Sequence, residues 1–200
     1  MDRESDLGQA KMQFMNVFRI GQISLLAACC LSLAGCLGGG APDDTFSLSA
    51  ATPVEPGVKA SKRQILIPEP SALKALNSEQ VVIRVNASEI QYLSKARWSD
   101  RLPRMVQARL VQAFENTGRL GGVGMPGQGL AIDFQIVTDI RAFEIQNDGG
   151  SHARIEISAK ILNDRTGEIK ATRVFTASAP VSGAGNDAFV KALDAAFSTV

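Results

Sequence analysis

From Ala153 to Ile161 every second residue is apolar: Ala153, Ile155, Ile157, Ala159 and Ile161, with Arg154, Glu156, Ser158 and Lys160 between them. A side-chain period of two belongs to a β-strand, and alternation this strict predicts a sheet with one covered face and one wet face. Turn sequences bound the strand on both sides. Asn147-Asp148-Gly149-Gly150 is a hairpin signal, and Asn163-Asp164-Arg165-Thr166-Gly167 turns the chain again. Before the first turn, Leu130 to Ile145 alternates through Ile132, Phe134 and Ile136. It then shifts register to Ile140, Ala142 and Phe143. After the second, Glu168 to Ala177 returns as a strand that ends near Pro180. The chain is therefore committed to a three-stranded meander whose apolar face must be covered.

Two amphipathic helices supply the cover. In the first, Leu102, Met105, Val106, Leu110, Ala113 and Phe114 form one stripe, and Arg104, Gln107, Arg109 and Gln112 take the other side. Ser99 or Asp100 is its expected cap, Pro103 fits its first turn, and Asn116-Thr117-Gly118 stops it. In the second, Asn186 or Asp187 caps a stripe of Phe189, Val190, Leu193, Ala196 and Phe197. Shorter strands are expected at Phe46–Ser49, Arg63–Ile67, Gln80–Val85 and Ser88–Leu93, and one helical turn at Ser71–Leu76. The economical architecture is α+β: a two-layer sandwich with a mixed or antiparallel sheet of about five or six strands and both helices on one face. The folded domain is expected over residues 63–200.

The residues that carry most enzyme chemistry are sparse. His152 is the single histidine and sits beside a turn, and the cysteines are Cys29, Cys30 and Cys36. No Gly-x-Ser-x-Gly elbow occurs. Asp133 and Asp139 share a strand, with a spacing that places them on one face. The glycines from Gly121 to Gly129 follow a helix, whereas a phosphate cradle lies between a strand and a helix. A formal net charge of +1 argues against bulk binding of nucleic acid. We expect no catalytic residue, no metal site and no cofactor.

The N-terminal segment has the physical parts of an export signal. Arg19 supplies positive charge, and Ile20 to Ala34 is mostly apolar. Its longest unbroken apolar run, Leu25 to Leu31, is far shorter than the roughly 20 residues that span a bilayer. Met1 to Asp6 carries three acids where a signal should be basic, so Met15 is the expected start of translation. Leu33-Ala34-Gly35-Cys36 closes the segment and resembles the lipobox of bacterial lipoproteins. The resemblance implies a signal peptide over 1–35 and covalent diacylglyceryl and N-acyl (palmitate) lipid on Cys36. Residues 36–62 then form the lipid anchor, tether and loop. Leu37 stands where an aspartate would imply retention in the inner membrane, which favours the outer membrane, facing the periplasm.

Tyr92-Leu93-Ser94-Lys95-Ala96-Arg97-Trp98-Ser99-Asp100-Arg101-Leu102-Pro103 resembles the Arg-Trp signature of the ABC-type transport auxiliary lipoprotein component family, the PqiC-like lipoproteins. Phe46-Ser47-Leu48, Gln80 to Val85, Phe143-Glu144 and the helix from Ala188 also fit. Where members often carry aspartate-arginine-proline, this chain has Asn77-Ser78-Glu79. The resemblance implies a fold similar to the N-terminal domain of TolB and a non-catalytic envelope protein. Its implied partners are an ABC transporter permease and an MCE-domain protein that move lipids or other hydrophobic molecules. A periplasmic lipid-binding carrier and an envelope-integrity lipoprotein are the competing readings.

Tyr92, Lys95, Arg97, Trp98, Arg101 and Arg104 gather the chain's single Tyr and single Trp with four cations. One reading is a partner-docking surface, since Trp, Tyr and Arg dominate interface hot spots. The other is that Trp98 packs over the helix start while the arginines form a solvated face with Asp100. When signal cleavage is blocked, the trapped precursor is expected to start at Met15. Mass spectrometry of its N-terminal peptides checks this, and a peptide spanning Asp6 to Lys11 contradicts it.

Overall fold

A computed structural model describes residues 43–50 and 61–200. Cys36 and the rest of the expected signal and tether lie outside the described residues. Among the described residues, nine strands and two helices follow in the order β1 (Asp44–Phe46), β2 (Gln64–Leu66), β3 (Ser71–Ala72), β4 (Gln80–Arg84), β5 (Ile90–Trp98), α1 (Leu102–Asn116), β6 (Gly122–Gly124), β7 (Phe134–Gln146), β8 (His152–Asn163), β9 (Ile169–Pro180) and α2 (Asn186–Phe197).

The meander read from the alternation is present as β7–β8–β9, antiparallel throughout. The register of β7 against β8 shifts between Ile140 and Ala142, where the apolar pattern changes phase. β7 is the spine of the sheet. One edge pairs with β8 along its length, and the other is shared end to end by β2, β3 and β4, all parallel to it. β5 extends the sheet beyond β4, β1 lies parallel to β5, and β6 lies parallel to β2.

The sheet is thus larger than the five or six strands expected. β6 forms within the glycine-rich segment. β3 forms where a helical turn was expected, because Ser71 and Ala72 ladder onto Asp139 and Ile140 and the Ser71 hydroxyl donates to Asp139 at 2.7 Å. The turn comes just after, where the Leu76 and Asn77 amides donate to the Leu73 carbonyl.

β5 overruns its expected end at Leu93 and continues to Trp98. Pairing explains the extension: Trp98 lies opposite Phe46 of β1, and Arg97 opposite both Thr45 and Gln80. Between its two stretches of pairing with β4 the strand carries extra residues, with Lys95 at φ 56°. The Asn186 side chain donates to the Ser94 carbonyl at 3.0 Å in this irregular stretch. Asn186 is therefore not the cap of α2. That position is Gly185 at φ 82°, a conformation glycine adopts without a Cβ penalty. Nor do Ser99 or Asp100 cap α1, whose cap residue is Arg101. The Leu102 amide instead donates to the Ser78 carbonyl at 3.1 Å, and Pro103 has no amide to satisfy.

Leu102, Met105 and Val106 of α1 and Val190, Ala192, Leu193 and Ala196 of α2 join one buried cluster with Ile140, Phe143, Ile145, Ala153, Ile155 and Ile157. Leu110 is partly buried against it, as are Phe189 and Phe197. Gln107 was expected on the polar side of α1. It is buried, and its amide donates to the Ile67 carbonyl at 2.8 Å, which satisfies both groups. Ile161 was expected in the covered stripe, but it is 39% exposed. Length explains this: twelve helical residues rise about 18 Å, whereas twelve strand residues span about 40 Å, so α2 covers only half of β8.

Trp98 is 1% exposed. Its ring meets Phe143 edge-on, with centroids 5.8 Å apart, and Phe143 meets Phe197 at the same separation. β5, β7 and α2 are joined through these three rings. Replacing Trp98 with Ala is expected to cost about 3–5 kcal/mol in urea unfolding, because the cavity lies where three elements meet. Arg97→Ala, one residue away and exposed, is expected to cost under about 1 kcal/mol.

Candidate docking surface

The sequence cluster around the Arg-Trp pair does not form one surface. Trp98 belongs to the core, so its reading as a partner contact is corrected: strand pairing points the indole inward, against Phe143. Tyr92 is 41% exposed and lies opposite Val82, which itself lies opposite Glu144. Directly paired residues share a face, so Tyr92 stands on the sheet face that carries Glu144.

The arginines gather around a different segment. Arg97 lies 3.9 Å from Glu79, and Arg101 reaches Asn77 at 2.6 Å and Glu69 at 2.7 Å. The Trp98 amide donates to the Glu79 carbonyl. Asn77-Ser78-Glu79, which departs from the family pattern, is thus the piece that Arg97 and Arg101 hold from either side. Arg104 faces Asp100 at 3.5 Å, one helical turn away. Each of these arginines has an acidic partner, and exposed pairs of this kind contribute only about 0.2–1 kcal/mol apiece. The surface is charged but locally balanced.

The face away from the helices holds the arrangement that sequence reading missed. Glu144 is 3% exposed, and its Oε1 accepts from Arg84 Nε at 2.6 Å and from Gln146 at 3.0 Å. The bond to Glu144 raises the Arg84 pKa further, against the opposing effect of burial. Arg154 bonds Glu156, Arg141 approaches Glu156 and Asp139, and Asp139 accepts from Ser71. This polar ladder spreads charge across β3, β4, β7 and β8. Alternation alone predicts polar residues here, but the partner of Glu144 comes from a strand 60 positions away.

At the sheet end where β2 begins, the Asp133 carboxylate accepts from the Gln64 amide at 2.9 Å and from Arg63 at 3.0 Å. These two bonds hold the Asp133 carboxyl below the ordinary carboxylate range. Its role is to tie β2 to β7. Asp139 is occupied elsewhere, on Ser71 and Arg141. Asp133 lies just before β7 and Asp139 within it, and the two are separately engaged. His152 lies at the turn, with Nδ1 3.1 Å from the Gly150 carbonyl. Among the described residues no three His, Cys, Asp or Glu side chains gather as a metal site would require. Among them, too, no helix is long and apolar enough to cross a membrane.

The two members of the Arg84–Glu144 pair are unequally buried, so their removal should cost unequal amounts. Arg84→Met strands a buried carboxylate and is expected to cost about 3 kcal/mol. Glu144→Gln leaves a guanidinium that is already one-third exposed and keeps a hydrogen-bond acceptor, and should cost about 1 kcal/mol. Urea unfolding of both variants checks the order; equal losses would contradict it.

Comparison with known proteins agrees with this fold. A crystal structure of protein XCC0632 from Xanthomonas campestris, of the DUF330 family, superposes with a TM-score of 0.70 at 26% identity, covering 77% of this chain and 88% of that one. A second crystal structure, of an uncharacterised protein, shares the fold with a TM-score of 0.61 at 16% identity, covering 79% and 93%. An uncharacterised protein of Bradyrhizobium diazoefficiens, bll6063, is 32% identical over 174 residues, or 82% of this chain. This chain spans 44% of that relative's length. The family model described as ABC-type transport auxiliary lipoprotein component matches residues 46–200, from the end of β1 through α2, and the chain belongs to that family.

Proposed function

We propose that this protein is a non-catalytic accessory subunit of an ABC/MCE-type transport system that moves lipids or other hydrophobic molecules across the bacterial envelope. Lipid on Cys36 anchors it, in the outer membrane and facing the periplasm. Its partners are an MCE-domain protein and an ABC transporter permease. The observation that carries this reading is the family match over residues 46–200, which begins ten residues after the lipobox cysteine.

The interior supports a scaffold over a carrier. A carrier needs a concave apolar cavity for its ligand. Here Trp98, Phe143 and Phe197 meet between sheet and helix, and Val81, Val106 and Leu193 are each fully buried beside them. Arg97, Arg101 and Arg104, with Tyr92 on the other sheet face, are the partner contacts this reading offers. Their exposed ion pairs are weak enough to exchange for a partner's groups.

Crosslinking the full-length protein in membranes, followed by gentle solubilisation and mass spectrometry of proteins and lipids, tests the assignment. An MCE-domain protein and an ABC permease are the expected co-purifying species. Stoichiometric lipid with neither protein would establish the carrier instead.

A further inference from the structure

β9 is the outer strand of the meander. It pairs with β8 along its length, and among the described residues no strand pairs with its other side. An open strand edge presents unpaired N–H and C=O groups, and proteins blunt such edges with short strands, prolines, bulges or charge. The path of the sheet otherwise ends on β1 and β6, which have three residues each. β9 has twelve, a length of about 40 Å. Its guards stand at the two ends. Lys170 is an extra residue between the Ile161–Ala171 and Leu162–Ile169 pairs, and Pro180 has no amide to offer. Between them Ala171 to Ala179 is a regular run with a single charge, Arg173.

The backbone phase of this run is fixed. The Val181 amide donates to the Ser151 carbonyl, one step beyond the register that sets Pro180 opposite His152. In an antiparallel ladder, residues bonded to the neighbouring strand alternate with residues turned away from it. Ala171, Arg173, Phe175, Ala177 and Ala179 therefore bond inward to β8. Thr172, Val174, Thr176 and Ser178 aim their N–H and C=O groups at the open edge. These four side chains are uncharged and exposed, Val174 to 44%. Three of them are β-branched, a type that packs well on a pleated strand.

We propose that β9 pairs with β9 of a second copy of this chain, antiparallel and about a two-fold axis at Phe175, so that one sheet runs through a dimer. The run is its own complement. Phe175 is its middle residue, so the antiparallel overlap that uses every position from Ala171 to Ala179 sets Phe175 opposite Phe175. The same register sets Thr172 opposite Ser178 and Val174 opposite Thr176. Outward groups then meet outward groups, as a hydrogen-bonded ladder requires. A slip of one residue would set them against residues already bonded to β8. Arg173 falls opposite Ala177, whereas a parallel pairing in register would set Arg173 on Arg173, and like charges directly opposite are destabilising. Each Phe175 ring lies under its own Arg173 guanidinium, 5.0 Å from the centroid, and the two rings become cross-strand neighbours at the axis. The interface uses the same patch on both copies, as a two-fold dimer must. It needs neither the lipid anchor nor a transport partner.

The test uses the full chain in membranes treated with a mild oxidant, with the unsubstituted chain reporting any disulfide through Cys29, Cys30 or Cys36. Phe175→Cys sets two thiols opposite each other at the axis, about 4.5 Å apart between Cα atoms and within disulfide reach. Val174→Cys and Thr176→Cys leave each thiol about 7–8 Å from its copy, beyond that reach. We expect disulfide-linked dimer from Phe175→Cys at least about tenfold above the other two. A second measurement leaves Phe175 in place. The unsubstituted full chain in detergent should sediment as a dimer. The double variant Val174→Lys, Thr176→Lys brings like charges together across the axis and should raise the dissociation constant at least about tenfold, with a thermal midpoint within a few degrees because both side chains are exposed. A monomeric unsubstituted chain, a dimer indifferent to the two lysines, or linkage from Val174→Cys or Thr176→Cys equal to that from Phe175→Cys would each overturn the proposal.

Discussion

The burial of Trp98 organises the rest of the fold. Its position at the last residue of β5 means that strand pairing, not helix formation, sets the direction of the Arg-Trp segment. Once the indole is seated on Phe143, the chain has only three residues in which to leave the sheet before α1 begins. The helix start is then met by the Ser78 carbonyl, which belongs to the approach to β4. Phe143 passes the same constraint to Phe197 and so to α2. A close-packed interior tolerates little change in volume at such a junction.

β7 distributes that constraint along the sheet. Its thirteen residues serve four other strands and join every layer of the molecule. The register shift near Arg141 lets one strand present Ile140, Phe143 and Ile145 to the helices while Ala142 and Glu144 face the polar ladder. Two chemically different surfaces therefore rest on one backbone. The helix side is dry and filled by rings. The opposite side is held by charged hydrogen bonds, with Glu144 buried beneath Arg84.

That division explains why a sequence cluster dissolved in three dimensions. Tyr92 and Arg97 are five residues apart, but the irregular stretch around Lys95 changes the phase of the strand between them. Tyr92 then stands on the Glu144 face, Trp98 enters the core, and the arginines turn to Glu69, Glu79 and Asp100. Residues far apart in sequence came together instead. Lys62, Arg119 and Arg165 share one end because β2 begins there, the segment after α1 passes there and the β8–β9 turn reverses there.

The α+β class, the meander, both helices and the register change in β7 follow from local pattern, because periods of 2 and 3.6 are properties of neighbouring residues. The lipobox-like Leu33-Ala34-Gly35-Cys36 is legible for the same reason: its reading needs only adjacent residues. The remaining features arise from pairing across long separations. β3 and β6 are too short to show a period and exist because β7 and β2 offer them edges. Neither helix is capped by the expected side chain, because the Leu102 amide at the start of α1 meets the Ser78 carbonyl and the Asn186 side chain is drawn to the Ser94 carbonyl. Which cations found acids and which did not was decided only when the sheet order set their neighbours, since the strength of a charge pair depends on distance in space rather than along the chain.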